Sequence, residues 1–265
     1  MKVSLNEQVA IVTGGDSGIG RGICLAFARA GARVVVNYNS SRDKADEVVA
    51  TIKDDGGEAI AVQCDVSNED AVERLFDEAV KTFGGVDILV ANSGIQKDAG
   101  FADMSLADWQ AVIDVNLTGQ FLCARAAIRH FRRQGNRGRT RANGNILFMS
   151  SVHETIPWAG HVNYASSKGG LGMLMKSLAQ EVARERIRVN GIAPGAIRTA
   201  INEDVTEGDD GKKLLELIPY GRIGATDDVA PLALFMASDL ADYMTGSTVY
   251  IDGGMSLYPG FEDNG

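Results

Sequence analysis

Seven short apolar runs punctuate the chain, separated by longer stretches of mixed polarity. Val9–Ala10–Ile11–Val12, Arg33 to Tyr38, Ala59 to Val62, Ile88–Leu89–Val90, Asn145 to Met149, Arg188 to Ala193 and Thr248 to Ile251 read as strands. Their apolar runs are continuous rather than alternating, as in strands covered on both faces. Between them apolar residues recur at helical spacing. Val72, Leu75, Phe76, Ala79 and Val80 mark a helix from Asn68 to Phe83. Trp109, Val112, Ile113, Phe121 and Ala127 mark a long helix after Leu106. Further helices are expected from Arg21 to Ala30, from about Ser41 to Ile52, from Tyr164 onward and near Val229–Ala237. This βαβα alternation predicts an α/β fold, a doubly wound Rossmann-type domain with a seven-stranded parallel sheet flanked by helices. No repeat or linker divides the chain, so residues 1–265 are expected to form a single domain. A polar stretch rich in Asp, Glu and Gly, at about 199–218, is expected to close over a pocket as a lid.

Composition narrows the function. With 45% hydrophobic and 23% charged residues, the chain has enough apolar material for a sizeable core. A net charge of −9 argues against nucleic-acid or anionic-membrane partners. Cys24, Cys64 and Cys123 sit in apolar or strand-like surroundings without metal-ligand spacing, so buried thiols in a reducing compartment are expected. No apolar run approaches a membrane span and the N-terminus has no signal pattern, so a cytoplasmic location is expected.

The chemistry centres on Tyr164–Ala165–Ser166–Ser167–Lys168. Tyr164 and Lys168 are four apart on an expected helix, so they share a face. A phenol has a free pKa of about 10, and a nearby cation favours its phenolate. Such a tyrosine can move a proton at neutral pH. Ser151 follows an apolar strand, where α/β sheets place site residues. Asn116 interrupts a helical pattern and is a poor mid-helix residue, which points to a local task. Upstream, Thr13–Gly14–Gly15–Asp16–Ser17–Gly18–Ile19–Gly20 joins a strand to a helix. Glycines there let the backbone approach a pyrophosphate at a helix N-terminus. The spacing differs from G-x-G-x-x-G, because three residues separate Gly14 from Gly18.

These motifs, with Asp65–Val66, Ala91–Asn92–Ser93–Gly94 and Pro194–Gly195 before Thr199, make the chain similar to short-chain dehydrogenases/reductases from end to end. Ser93 departs from the family's usual alanine. The segment from Ser150 through His153 and Glu154 to Trp158, and the ending Asp252 to Pro259, resemble bacterial glucose 1-dehydrogenases. The resemblance implies a catalytic set of Asn116, Ser151, Tyr164 and Lys168. In it, Tyr164 is the general acid/base and Ser151 bonds the substrate oxygen. Lys168 lowers the Tyr164 pKa and holds the nicotinamide ribose, and Asn116 anchors a water. It implies NADP or NAD as cofactor. Gly14, Ser17, Gly18, Ile19 and Gly20 would hold the pyrophosphate, Asp65 and Val66 the adenine, and Asn92 and Gly94 the ribose side. Pro194, Gly195, Ile197 and Thr199 would line the nicotinamide end. A homotetramer is also implied.

Asn37, Tyr38 and Asn39 at the end of the second strand are neutral. An acid there would repel a 2′-phosphate. Use of both cofactors is therefore expected, leaning to NADP through Asn39, Ser40, Ser41 and Arg42, although Asp16 opposes that lean. Gln96, His153, Glu154, Trp158, His161 and Asn163 are the expected substrate groups and suit a hydroxyl-rich sugar, with Trp158 offering a ring face. Gln96 replaces an acid expected in the glucose enzymes. His153 and His161 lack a third ligand at suitable spacing, so no metal is expected. The arginines from Arg132 to Arg141 are expected in a solvated loop away from the chemistry, and His130 on a surface helix. Gly172, Met173 and Met175 suit close helix packing, with a subunit interface there implied by the family. Three functions fit: aldose oxidation at C1, reduction of a 3-oxoacyl group or other ketone on the same scaffold, and dinucleotide binding without turnover. The Tyr–Lys pair disfavours the last, since a pure binder has no need of it.

Overall fold

In the computed structural model the described residues are 3–199 and 208–257, with residues 208–210 as backbone alone. Residues 200–207 of the expected lid lie outside the described residues, as do Tyr258 and Pro259.

Strands β1 (Val9–Val12), β2 (Arg33–Tyr38), β3 (Glu58–Gln63), β4 (Ile88–Ala91), β5 (Gly144–Met149), β6 (Ile187–Pro194) and β7 (Thr248–Ile251) form one parallel sheet. Its order is β3-β2-β1-β4-β5-β6-β7. Residues Val34, Val35 and Val36 of β2 have no solvent exposure, because helices cover both faces. Helices α1 (Gly18–Arg29), α2 (Arg42–Asp54) and α8 (Thr226–Ala237) pack Ile23, Phe27, Val48 and Val229 on one face. Helices α3 (Glu69–Phe83), α5 (Gln120–Gln134) and α6 (Val162–Val182) pack Leu75, Phe76, Phe131 and Leu171 on the other. Helix α7 (Gly208–Glu216) precedes α8. Strand order reverses between β1 and β4, and ligands of open α/β sheets bind beyond the carboxyl ends of the strands at such a point.

The long helix expected after Leu106 is interrupted. Helix α4 (Leu106–Ile113) runs into a π-helical turn, Asp114–Gly119, before α5. Asn116 lies in that turn and is completely buried. The three cysteines are buried, and burial pushes their thiols well above the usual range.

Two expectations are corrected on the far side of the molecule. Arg137 and Arg139 are not solvated. Their side chains are 12% and 21% exposed, and both reach the buried carboxylate of Asp87 at the N-terminal end of β4. The loop does lie away from the site, as expected, but part of it closes the lower end of the sheet. His130 is buried and stacks on Phe76 at 5.3 Å, because its face of α5 meets α3. On α6, Met175 belongs to the core while Met173 is exposed.

Candidate active site

The glycine turn leaves β1 at the reversal point and is held from both sides. Asn37 on β2 accepts from Gly14 N through Oδ1 at 3.2 Å, and its Nδ2 donates to Cys64 O at 3.0 Å. After β4, Asn92 Nδ2 donates to Thr13 O at 2.8 Å and Gly14 O at 3.2 Å. Thr13 Oγ1 accepts from Asn92 N at 2.8 Å and Ser93 N at 3.0 Å. Ser93 in place of alanine therefore leaves this turn intact. Gly14 and Gly18 have φ of +59° and +50°, a region that favours glycine. A Cβ on Gly20 would overlap the Gly14 carbonyl oxygen. The Ser17 side chain makes no capping bond to α1, so the first-turn N–H groups of that helix keep capacity for an anion.

Other expected cofactor residues gather on the same edge. Thr199 lies against Gly18, where an added Cβ would come within 3.3 Å of its methyl. Gly195 follows β6, and Ile197 is buried and bridges to Gly224. Asn39 and Ser40 are exposed at the end of β2. Asp65 Oδ1 accepts from Ser67 N at 3.0 Å and Ser67 Oγ at 2.7 Å, and Val66 is buried beside it. Asn92 was expected at the ribose, but its amide hydrogens are committed to the turn. The bracing roles of Asn37 and Thr13 are absent from the expectations above. Asn37 drew notice only as a missing acid, because its partners come from β1 and β3 and no local pattern marks them.

Ser151 lies two residues past β5, where its side chain accepts from His153 N, and Tyr164 and Lys168 lie on the first turns of α6. The side chains of Ser151 and Gln96 face the Tyr164 hydroxyl. Burial pushes the Tyr164 phenol up, and these two side chains act against it. Lys168 Nζ stands 5.5 Å from the centre of the Tyr164 ring and donates to Met149 O at 2.8 Å. Burial brings its pKa down to about 8. An ammonium has three N–H donors, so capacity remains after the Met149 bond. Asn116 exchanges two bonds with Ile95, at 2.8 and 2.9 Å, and donates to Ser167 at 3.3 Å. Its side chain thereby pins the loop carrying Gly94 and Gln96. A Cβ on Gly94 would stand 3.4 Å from Asn116 Oδ1 and 3.7 Å from Lys168 Nζ.

Of the expected substrate groups, Gln96 and Ser151 meet at the Tyr164 hydroxyl. Asn163 does not join them. It is completely buried, donates to Lys97 O at 2.8 Å and accepts from Tyr164 N at 2.8 Å. Glu154 turns both carboxylate oxygens to protein partners, Ser150 Oγ at 2.6 Å and Tyr250 Oη at 2.9 Å. Trp158 does not present an open face. His153 stacks on it at 4.3 Å and His161 at 3.5 Å, both nearly parallel to its plane. Two rings that close cannot lie side by side on one face, so they sandwich the indole. The sandwich meets Tyr164 edge-on at 6.2 Å, and Asp98 closes it by pairing with His161 at 3.1 Å. Burial lowers the His153 pKa, which favours a neutral ring beside Tyr164.

The family model described as enoyl-(acyl carrier protein) reductase matches residues 14–256. The chain is 47% identical over 259 residues to a 3β-hydroxysteroid dehydrogenase 1 of Eggerthella lenta, covering 97% of each. It is 44% identical over 260 residues to a glucose 1-dehydrogenase 2 of Bacillus subtilis, covering 98% of each. A short-chain dehydrogenase from Burkholderia cenocepacia, solved in complex with NADP, superposes with a TM-score of 0.88 at 33% identity. The match covers 96% of this chain and 99% of that one. Glycines whose added Cβ atoms would fill the turn, an uncapped helix and a lysine with spare donors fit the same group, and the cofactor is NAD or NADP. By its family match, its relatives and its fold, the chain is a member of the short-chain dehydrogenase/reductase family.

Proposed function

We propose that the chain oxidises a hydroxyl borne on a ring, with an aldose at C1, glucose first, as substrate. The observation that carries this reading is the Tyr164 hydroxyl faced by Ser151 and Gln96, with Lys168 Nζ 5.5 Å from its ring. Ser151 Oγ bonds the substrate oxygen, and Tyr164 Oη takes its proton. Lys168 turns its spare donors to the cofactor ribose. The Gln96 amide donates and accepts beside the reacting carbon, which suits a neighbouring sugar hydroxyl. The bound nicotinamide supplies the hydride acceptor. Stretch 199–218 is the proposed lid, and the enzyme works as a homotetramer.

A second reading has its own support. Glu154 and Asn163 are spent on protein partners and the Trp158 faces are covered, so the polar lining is thinner than a sugar site favours. That suits a secondary alcohol on an apolar ring, as the Eggerthella lenta relative's name describes for that protein. Reduction of NAD and NADP by glucose, galactose, xylose and mannose, beside a 3β-hydroxysteroid, separates the two. Turnover of aldoses supports the first reading. Fast turnover of the steroid with none on any aldose overturns it. The exposed neutral Asn39 and Ser40 support use of both cofactors, with NADP favoured. An NAD preference of about a hundredfold, close to 3 kcal/mol, contradicts that.

A further inference from the structure

Beside the reaction centre one carboxylate faces the protein rather than the crevice. Glu154 ends the 3₁₀ turn Val152–Glu154 that follows Ser151. Its bonds to Ser150 and Tyr250 join the end of β5 to the edge strand β7. Tyr250 also reaches Thr155 Oγ1 at 3.4 Å, so the far end of the strut is fixed twice. A Cβ on Gly172 would stand 3.4 Å from Glu154 Oε2. Gly172 is one helical turn beyond Lys168, on the same face of α6. Among the described residues, the charged and titratable groups at this carboxylate are Lys168 from α6 and Tyr250 from β7, with Asp252 acting on Tyr250 in turn.

We propose that Glu154 is a positioning residue: its carboxylate ties the Ser150–Ser151 turn to β7 and supplies the counter-charge that keeps Lys168 an ammonium. The proposal rests on the reading that Lys168 holds the cofactor ribose. Burial acts on Lys168 alone in one direction, and Glu154 is the charge acting in the other. Among the described residues, no carboxylate is in hydrogen-bond contact with Lys168. A charge across the helix face therefore protects its proton without occupying the donors that the ribose needs.

The two parts of the role separate by substitution. In Glu154→Gln the amide accepts from one hydroxyl and donates to the other, because both hydroxyls rotate, so the strut is kept and the charge is lost. Titration of NADH and NADPH into the folded protein across pH, read by calorimetry, follows Lys168 without turnover. The alkaline limb of cofactor affinity moves down by about one pH unit in Glu154→Gln, and stays in place in Glu154→Asp. Tyr250→Phe keeps the charge, so its limb matches the wild type while kcat falls two- to fivefold as the Ser151 turn loosens, about 0.4 to 1 kcal/mol. Should Glu154→Gln fold poorly, Glu154→Ala shows the same limb shift with the lower kcat. A limb in the Gln or Ala variant that superposes on the wild type overturns the proposal. A wild type that binds neither dinucleotide overturns the dehydrogenase reading as well, and shows it without any variant.

Discussion

At the lower end of the sheet, Asp87 accepts from Val9 N at 2.8 Å and from Arg137 at 2.9 Å, with Arg139 at 3.8 Å. At the upper end, Lys168 donates to one carbonyl and Ser17 leaves α1 uncapped. Both ends bury charge, and burial pushes Asp87 up and Lys168 down, each toward its neutral form. They differ in what answers the charge. Arg137 also donates to Phe83 O, and Arg139 to Glu7 O, so the lower network closes on itself. The upper network stops short, with donors on Lys168 and on the first turn of α1 still to be used. Unspent hydrogen-bond capacity, rather than density of charge, marks the end of the sheet that meets a ligand.

The largest way to break this contrast is Gly20→Val. Any side chain there drives into the Gly14 carbonyl and displaces the turn. Cofactor Kd is expected to rise about a hundredfold or more, close to 3 kcal/mol. Calorimetric titration of the folded variant checks it, and unchanged Kd would take the pyrophosphate away from this turn.

Arg137→Ala tests the lower end. Removing one partner of a buried pair costs about 3–5 kcal/mol, and Arg139 keeps the loss near the low end of that range. Urea unfolding at neutral pH should show this loss while kcat of the folded protein stays unchanged. The sign with pH follows from Asp87, whose folded pKa lies above its unfolded value. Such a group weighs against folding once pH rises through the folded pKa, and below the unfolded pKa that weight is gone. The deficit of Arg137→Ala should therefore shrink in acid. A deficit that grows in acid contradicts this account of the pair.

The smallest expected effect sharpens the upper boundary. Asn163→Ala removes a buried bond to Lys97 O and should cost about 2 kcal/mol in stability with little change in KM. A large rise in KM at unchanged stability would return Asn163 to the substrate.

What the sequence disclosed follows the same line. The strands, their parallel order and the glycine turn were legible because they depend on backbone conformation and apolar periodicity, which are local. Tyr164 and Lys168 were legible because four residues on a helix fix a shared face. The fates of Glu154, Asn163 and Trp158 were not, because each depends on partners brought from β7, from the loop after β4, or from both sides of the indole. Arg137 misled for the same reason. Asp87, its partner, is fifty residues away and separated from it by α4 and α5.

The most direct test of the upper end as a reaction centre is Tyr164→Phe, with turnover and cofactor titration measured on one preparation. The substitution removes the hydroxyl faced by Ser151 and Gln96 and leaves the glycine turn and Lys168 in place. The substrate is whichever aldose or ring alcohol the wild type oxidises. The predicted result is a kcat lower by about 10²–10⁴-fold with cofactor Kd within about twofold of wild type. A kcat close to wild type, or a cofactor Kd that rises in step with the loss of turnover, would contradict Tyr164 as the acid/base.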